Sequence, residues 1–263
     1  MNTFDCDDYY SGLNTSWLGA DLIYKDELES TNSYLKSLET NEIGHGTVCM
    51  AEFQSAGRGQ YRRGWSSKRG KNLTFTIALK PGSGNRLPLL TLCCALGVAR
   101  VLDENGVENC KIKWPNDLLV DGKKIAGILT ESVFVGRSPE RVLVGIGLNV
   151  NQQTFEKDVG ADATSMKSEL ARPVSREKTL CEILGHIEHL YTRWHHRDTE
   201  LCKTVNERLI GFGEWVGISI NGDMQDMRYK FLGMNDKGEC VMLNEGLNVN
   251  TFSYEQIRVF PDR

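Results

Sequence analysis

Fifteen residues from Gly57 to Lys71 hold six cations (Arg58, Arg62, Arg63, Lys68, Arg69 and Lys71) and no acid, in a chain whose formal charge is −4. Gly57, Gly59 and Gly64 let the backbone approach a ligand and expose its amides, while arginines offer bidentate forks to phosphate or carboxylate. A solvated basic loop and a nucleic-acid patch are the competing readings. Trp65 and the interleaved glycines, on a loop between two apolar strands, favour an anion site. No basic stripe elsewhere supports nucleic acid as a partner. A second segment, Lys113-Trp114-Pro115-Asn116-Asp117-Leu118, is followed by Asp121-Gly122-Lys123-Lys124-Ile125-Ala126-Gly127-Ile128-Leu129. Pro115 ends a strand and leaves Asn116 and Asp117 at a turn. Lys124 leads into a strand of small and apolar residues, where an ammonium can meet a carboxylate or phosphate oxygen. Taken alone, Lys123 and Lys124 read as ordinary turn lysines.

Familiar phosphate cradles are absent, with neither G-x-x-x-x-G-K-[ST] nor a strand-to-helix G-x-G-x-x-G. Bound ATP would need another geometry. His186, His189, His195 and His196 lie on a charged helical stretch with no cysteine or carboxylate triad nearby. They read as surface histidines, and no metal site is expected.

The elements that must position these segments follow from periodicity and punctuation. Asp21 to Leu28 reads as a strand, and Ser30-Thr31-Asn32 offers N-caps for a helix through Leu38. Thr47 to Phe53 reads as a strand, and Leu73, Phe75, Ile77 and Leu79 alternate with smaller residues as in a half-buried one. Leu89 to Leu102 is apolar nearly all round and predicts a buried helix stopped by Asn105-Gly106. Ile112 to Trp114 is a short strand, and Leu118 to Val120 with Ile125 to Leu129 forms a hairpin around Asp121-Gly122. Val142 to Val150 is a further strand, and helical spacing returns from Ser175 to about His195. The mix points to α/β or α+β, with helices covering a central sheet. Beyond Gly213, five short strands (Trp215–Ile220, Tyr229–Leu232, Cys240–Leu243, Val249–Phe252 and Ile257–Val259) are set off by glycine turns, as in a small β-barrel. The expected division is 1–210 and 211–263.

At 263 residues, 40% hydrophobic and 25% charged, the composition is ordinary for a globular chain. The acidic N-terminal stretch has neither the apolar run of a secretory signal nor the arginines of a transit peptide. No apolar stretch is long enough to cross a bilayer. A soluble, cytoplasmic protein without membrane contact is expected, its eight scattered cysteines packed as free thiols.

The two loops together resemble the catalytic module of biotin–protein ligases. Gly57 to Trp65, with Ser67, Gly70 and Asn72-Leu73, and the run from Lys113 to Leu129 carry the likeness. Ser30-Thr31-Asn32, Ala51 to Gln54, Gly145-Ile146-Gly147-Leu148-Asn149-Val150 and Ala163-Thr164-Ser165 match further elements in order. The resemblance implies an α+β fold: a mixed sheet with packed helices, like class II aminoacyl-tRNA synthetases, plus an SH3-like C-terminal barrel. It implies two half-reactions, in which biotin and ATP give biotinyl-5′-adenylate and pyrophosphate, and a lysine of a biotin carboxyl carrier domain then takes the biotinyl group. Position by position, Ser30, Thr31, Asn32 and Gln54 would meet the biotin head group, and Arg58, Gly59 and Gln60 would lie on the loop closing over it. Lys124 would contact the reacting carboxylate, with Gly127 and Asn149 lining the pocket. Gly57, Arg58, Arg63, Trp65, Asn116, Lys124 and Asn149 would face the nucleotide. Arg58, Arg63, Lys124 and Mg²⁺ would neutralise charge accumulating between two anions. Asp117 is the candidate for orienting or accepting the acceptor lysine's proton, with a turn-capping aspartate as the competing reading.

Two departures stand out. Gln60 and Tyr61 occupy positions where the family loop often has two arginines, which predicts weaker retention of the adenylate. About twenty residues precede the module, fewer than a helix-turn-helix domain needs, so a ligase without a DNA-binding role is expected, with a homodimer as an option. A lipoate or octanoate ligase would show an R-R-x-S-G-G-G loop, which is absent here. A non-enzymatic anion-binding module is the remaining alternative.

Overall fold

Residues 3–60, 64–82, 84, 86–136, 138–155 and 163–260 are described by the computed structural model of the chain. The first sheet is built from β1 (Leu22–Leu28), β2 (Val48–Gln54), β3 (Leu73–Leu79), β4 (Cys110–Lys113), β5 (Asp117–Val120), β6 (Lys123–Val135) and β7 (Ser138–Leu148). Its strand order is β1-β2-β3-β7-β6-β5-β4, with β1 and β2 parallel and every other pair antiparallel. The helices are α1 (Cys6–Gly12), α2 (Thr31–Ser37), α3 (Leu87–Glu104), α4 (Met166–Leu170), α5 (Arg176–His195) and α6 (Glu200–Asn206).

Side-chain alternation along the strands separates the two faces of the sheet. Leu73, Phe75 and Ile77 of β3, Val144, Ile146 and Leu148 of β7, and Ile128 of β6 join the main core with α3 and α5. α3 can be apolar all round because it lies between this face and α5. A Cβ on Gly97 would stand 2.9 Å from Ile187 Cγ1, so the two helices cross closely there. The opposite face carries a small core of Leu35, Ile43, Cys49, Ala78 and Leu143 beneath α2.

Covering on both sides corrects one expectation. β3 is buried at all seven residues rather than half-buried, because α2 and its side chains sit over Thr76 and Ala78. β6 also runs to Val135, well past the expected end at Leu129, pairing with β7 as far as Ser138. α1, α4 and α6 were not foreseen.

The second sheet comprises β8 (Trp215–Ile220), β9 (Asp223–Met224), β10 (Tyr229–Met234), β11 (Cys240–Asn244), β12 (Val249–Phe252) and β13 (Ile257–Phe260). Its order is β12-β11-β10-β8-β13, with β9 paired to β8, and all pairs are antiparallel. This matches a small SH3-like half-barrel. Asn221 and Gly222 both have positive φ, at 52° and 97°, the conformation of a type I′ hairpin turn. The β10–β11 turn packs on the start of α3: Arg86 Nε donates to Asp236 O at 2.9 Å, and a Cβ on Gly238 would stand 2.3 Å from Leu89 N. The eight cysteines are free thiols, six of them buried. Among the described residues no helix is long and apolar enough to cross a membrane.

Candidate active site

The face of the first sheet beneath α2 becomes a floor of small residues. Thr76 pairs with Gly145, which pairs with Leu129, and Thr74 pairs with Gly147, which pairs with Gly127. Residues directly opposite one another share a face, so these positions leave room above the sheet. Neighbouring side chains use that room. A Cβ on Gly145 would stand 2.3 Å from Asn32 Oδ1, and one on Gly147 would stand 2.3 Å from the Trp65 ring.

α2 presents the polar end of the floor. Ser30 caps the helix, and Ser30, Thr31 and Asn32 are buried. Thr31 donates to Gln54 Oε1 from both N, at 2.8 Å, and Oγ1, at 3.1 Å. The Thr76 hydroxyl reaches Thr31 Oγ1 at 2.7 Å and Asn32 Oδ1 at 2.6 Å. Arg141, buried on β7, anchors the far end of α2: its guanidinium donates to the carbonyls of Leu35, Lys36 and Leu38, groups a helix C-terminus otherwise leaves unpaired.

Lys124 stands at the other end of the floor. The β5–β6 register shifts between Leu118 and Leu119, and the extra residue of this bulge returns Lys124 to the face of Gly127. Its Nζ lies 2.7 Å from Asp117 Oδ1. A Cβ on Gly127 would stand 3.2 Å from that Nζ and 3.4 Å from Asp117 Oδ1, so the glycine makes space for the pair. Nζ also lies 5.8 Å from the Trp65 ring centroid, and the buried Trp65 Nε1 has no hydrogen-bond partner among the described residues.

The glycine loop closes at its neck, where Trp65 N donates to Gly57 O at 2.9 Å and Arg58 bridges to Gly64. A Cβ on Gly57 would stand 2.3 Å from Trp65 O, so the neck needs glycine. Arg58 pairs with Glu131 over the floor. Arg69 instead turns to Asp26 and Glu27 on β1, and Lys68 Nζ meets Thr154 Oγ1 at 2.5 Å. The basic run is therefore divided rather than gathered at one point. Gly59 and Gln60 are half-buried beside the neck, while Tyr61, Arg62 and Arg63 lie outside the described residues.

The structure thus brings Thr31, Asn32, Gln54, Arg58, Trp65, Asp117, Lys124 and Gly127 to one face. Asn116 and Asn149 have their amides engaged: Asn116 Nδ2 donates to Ile128 O at 2.8 Å, and Asn149 Nδ2 donates to Thr164 O at 3.0 Å. Thr164 N in turn donates to Lys124 O, so Asn149 braces the backbone of the lysine. Asp117 faces Lys124 rather than capping its turn. Sequence reading missed Arg141 and Glu131; counting alternate residues along β6 from Gly127 would have found Glu131 had the strand not been ended at Leu129. His186 Nε2 lies 2.9 Å from Glu104 Oε2, and neither is a site residue. Surface clefts of about 640 Å³ beside α1 and α5 and about 270 Å³ around Trp17 and His45 contain no site residue.

A glycine floor with hydroxyl and amide groups at one end and an ammonium and a guanidinium set over it defines a ligase-type site, one that can hold a polar head and neutralise converging anions. The chain belongs to the biotin/lipoate A/B protein ligase family, whose model matches residues 24–149. It is 34% identical over 242 residues to the bifunctional ligase/repressor BirA of Bacillus subtilis, covering 90% of this chain and 74% of that protein. It is 27% identical to the biotin–[acetyl-CoA-carboxylase] ligase of Mycobacterium tuberculosis, covering 89% and 87% respectively. Among solved structures, the biotin protein ligase from Aquifex aeolicus in complex with biotin and ATP superposes with a TM-score of 0.79 at 26% identity, covering 92% of this chain and all of that one.

Proposed function

We propose that this chain is an ATP-dependent biotin–protein ligase, acting in two half-reactions on a biotin carboxyl carrier domain. One observation carries the reading: a glycine floor has Thr31, Asn32 and Gln54 at one end, with Arg58 held beside them through Glu131, and Lys124 at the other. A biotin head group needs hydrogen-bond partners for its ureido atoms, its aliphatic tail needs a shallow apolar track, and its carboxylate needs a cation. A head group laid toward Thr31, Asn32 and Gln54 would point its carboxylate toward Lys124.

In the first half-reaction a carboxylate oxygen bonds to the α-phosphorus of ATP while the bond to the bridging oxygen breaks and pyrophosphate leaves. Both reactants are anions, so Lys124 and Arg58 lower the barrier by neutralising charge where it accumulates. In the second, the acceptor amine bonds to the acyl carbon and AMP leaves. That amine, with a free pKa of about 10.4, must first lose a proton. Asp117, once Lys124 turns to the acyl group, is placed to orient or accept it. Mg²⁺ would enter as part of MgATP, carried by the phosphates and its own waters. Asn116 and Asn149 act by bracing the backbone that carries Ile128 and Lys124. The division of labour follows 1–210 for catalysis and 211–263 for the half-barrel.

Incubation with biotin, MgATP and a carboxyl carrier domain should add one biotinyl group to the acceptor, with pyrophosphate release that depends on biotin. Release dependent on lipoate or octanoate would move the chain to the other branch of its family, and no release would make it a binding module. A second outcome concerns Gln60. A glutamine can hydrogen-bond a phosphate but brings no charge, so Gln60→Arg should hold pre-formed adenylate about tenfold longer, the effect of one charge-assisted hydrogen bond. Equal release rates from both proteins in a rapid-filtration assay would remove Gln60 from the phosphate's surroundings.

A further inference from the structure

We propose that Glu131 is a positioning residue that ties the head-group asparagine to the guanidinium of the glycine loop, an inference that rests on the ligase reading above. A carboxylate on a face that must receive two anions is unfavourable by simple Coulomb repulsion, so its presence there calls for a use. Glu131 lies on β6 at alternate positions from Gly127 and Leu129, and so at the edge of the floor. Its Oε2 accepts from Asn32 Nδ2 at 2.9 Å and pairs with Arg58 Nη2. Lys36 Nζ stands 4.0 Å from Oε1, and Leu129 O takes a second, longer bond from Asn32 Nδ2 at 3.3 Å. Because Glu131 Oε2 and Leu129 O can only accept, the amide has one orientation, with its nitrogen toward them and Oδ1 toward the Thr76 hydroxyl at 2.6 Å.

A single carboxylate oxygen therefore fixes both the residue that reads the head group and the cation that meets the reacting anions. A guanidinium carries five N–H donors in a rigid plane. Arg58 keeps one on Glu131 and offers the rest to a phosphate or carboxylate, so the pair orients the cation without consuming it. Lys36 offsets the remaining charge from the other side.

Glu131→Gln separates these roles, since its amide oxygen still accepts from Asn32 while the charge holding Arg58 is gone. In ligand-free protein, the amides of Ser55 to Gln60 should exchange with deuterium at least about threefold faster than in wild type, with the rest of the sheet unchanged. Biotin-dependent ATP–pyrophosphate exchange should show kcat lowered about tenfold with KM for biotin within about threefold. Glu131→Ala, which also removes the acceptor from Asn32, should in addition raise that KM about tenfold. Unchanged exchange and unchanged kcat in Glu131→Gln, or faster exchange spread over the whole sheet, would overturn the assignment. Amide exchange is read without substrate, so the local effect in Glu131→Gln, found alongside a wild type that forms no adenylate, would overturn the ligase reading alone.

Discussion

Lys124→Ala should lose acceptor biotinylation by at least about a thousandfold while unfolding within a few degrees of wild type. The size follows from two losses at one atom. Removing a single preorganised donor from developing charge costs on the order of 10²–10³ in rate, and the same ammonium is the anchor of the reacting carboxylate. Retention of the fold follows from the surroundings. The lysine side chain is 28% exposed and its partner Asp117 27%, so although Asp117 Oδ1 is buried water can reach the carboxylate left behind, and the loss stays below the roughly 3–5 kcal/mol of a fully buried pair. Lys124→Arg should not restore activity. The ammonium fits because Gly127 leaves its space clear, and a planar guanidinium is wider and donates in a different geometry. Transfer of radiolabelled biotin to a carrier domain, beside thermal melts of each variant, checks both halves. Substantial labelling by Lys124→Ala would take this residue out of the site.

How much of this could be seen beforehand differs between backbone and site. Ser30, Asn105-Gly106 and Asp121-Gly122 act through their own local chemistry, and the structure uses them as caps and a turn at those positions. α1 escaped notice because it is seven residues long and buries only Tyr9, so it shows no apolar period; its place is set by contacts with α5. β6 was expected to end at Leu129, where the apolar run gives way to Thr130, Glu131 and Ser132. Across the sheet they face Val144, Leu143 and Val142, and that pairing overrides local preference. In the site, resemblance brought Arg58, Lys124, Asn32 and Gln54 together. What it left out is pairing between distant residues: Asn32 with Glu131, α2 with Arg141, and the division of the basic run by Asp26 and Glu27. Charge type is visible in a sequence, but the partner that consumes the charge is not.

The partner that matters most for folding is equally hidden. Glu52 on β2 and Arg176 at the start of α5 are separated by 124 residues, and Arg176 Nη1 lies 2.7 Å from Glu52 Oε2 with both side chains almost fully buried, at 3% and 4% exposure. Phe4 N donates to Glu52 Oε1 at 2.6 Å, and the Tyr24 hydroxyl donates to the same oxygen at 2.9 Å. The carboxylate thus joins β1, β2, α5 and the segment leading into α1. A cation at a helix N-terminus is unfavourable on its own, so Arg176 depends on this acid. Removing one partner from a buried pair leaves the other charge uncompensated and costs about 3–5 kcal/mol. Arg176→Met should therefore lower the urea midpoint sharply, and Glu52→Gln combined with Arg176→Met should cost less than the two single changes added together. The pH dependence has a definite sign. Burial by itself would raise the Glu52 carboxyl, but the hydrogen bonds and charge of Arg176, with those from Phe4 and Tyr24, outweigh it and hold the group below its usual 4.5. A carboxyl depressed in the folded state binds fewer protons there than when unfolded, so its stabilising share is complete above the unfolded value and is lost as pH falls through the folded one. Wild-type stability should thus decline below about pH 4.5, and Glu52→Gln, although weaker at neutral pH, should decline less steeply. Parallel acid slopes for the two proteins would show that some other carboxylate carries the acid sensitivity.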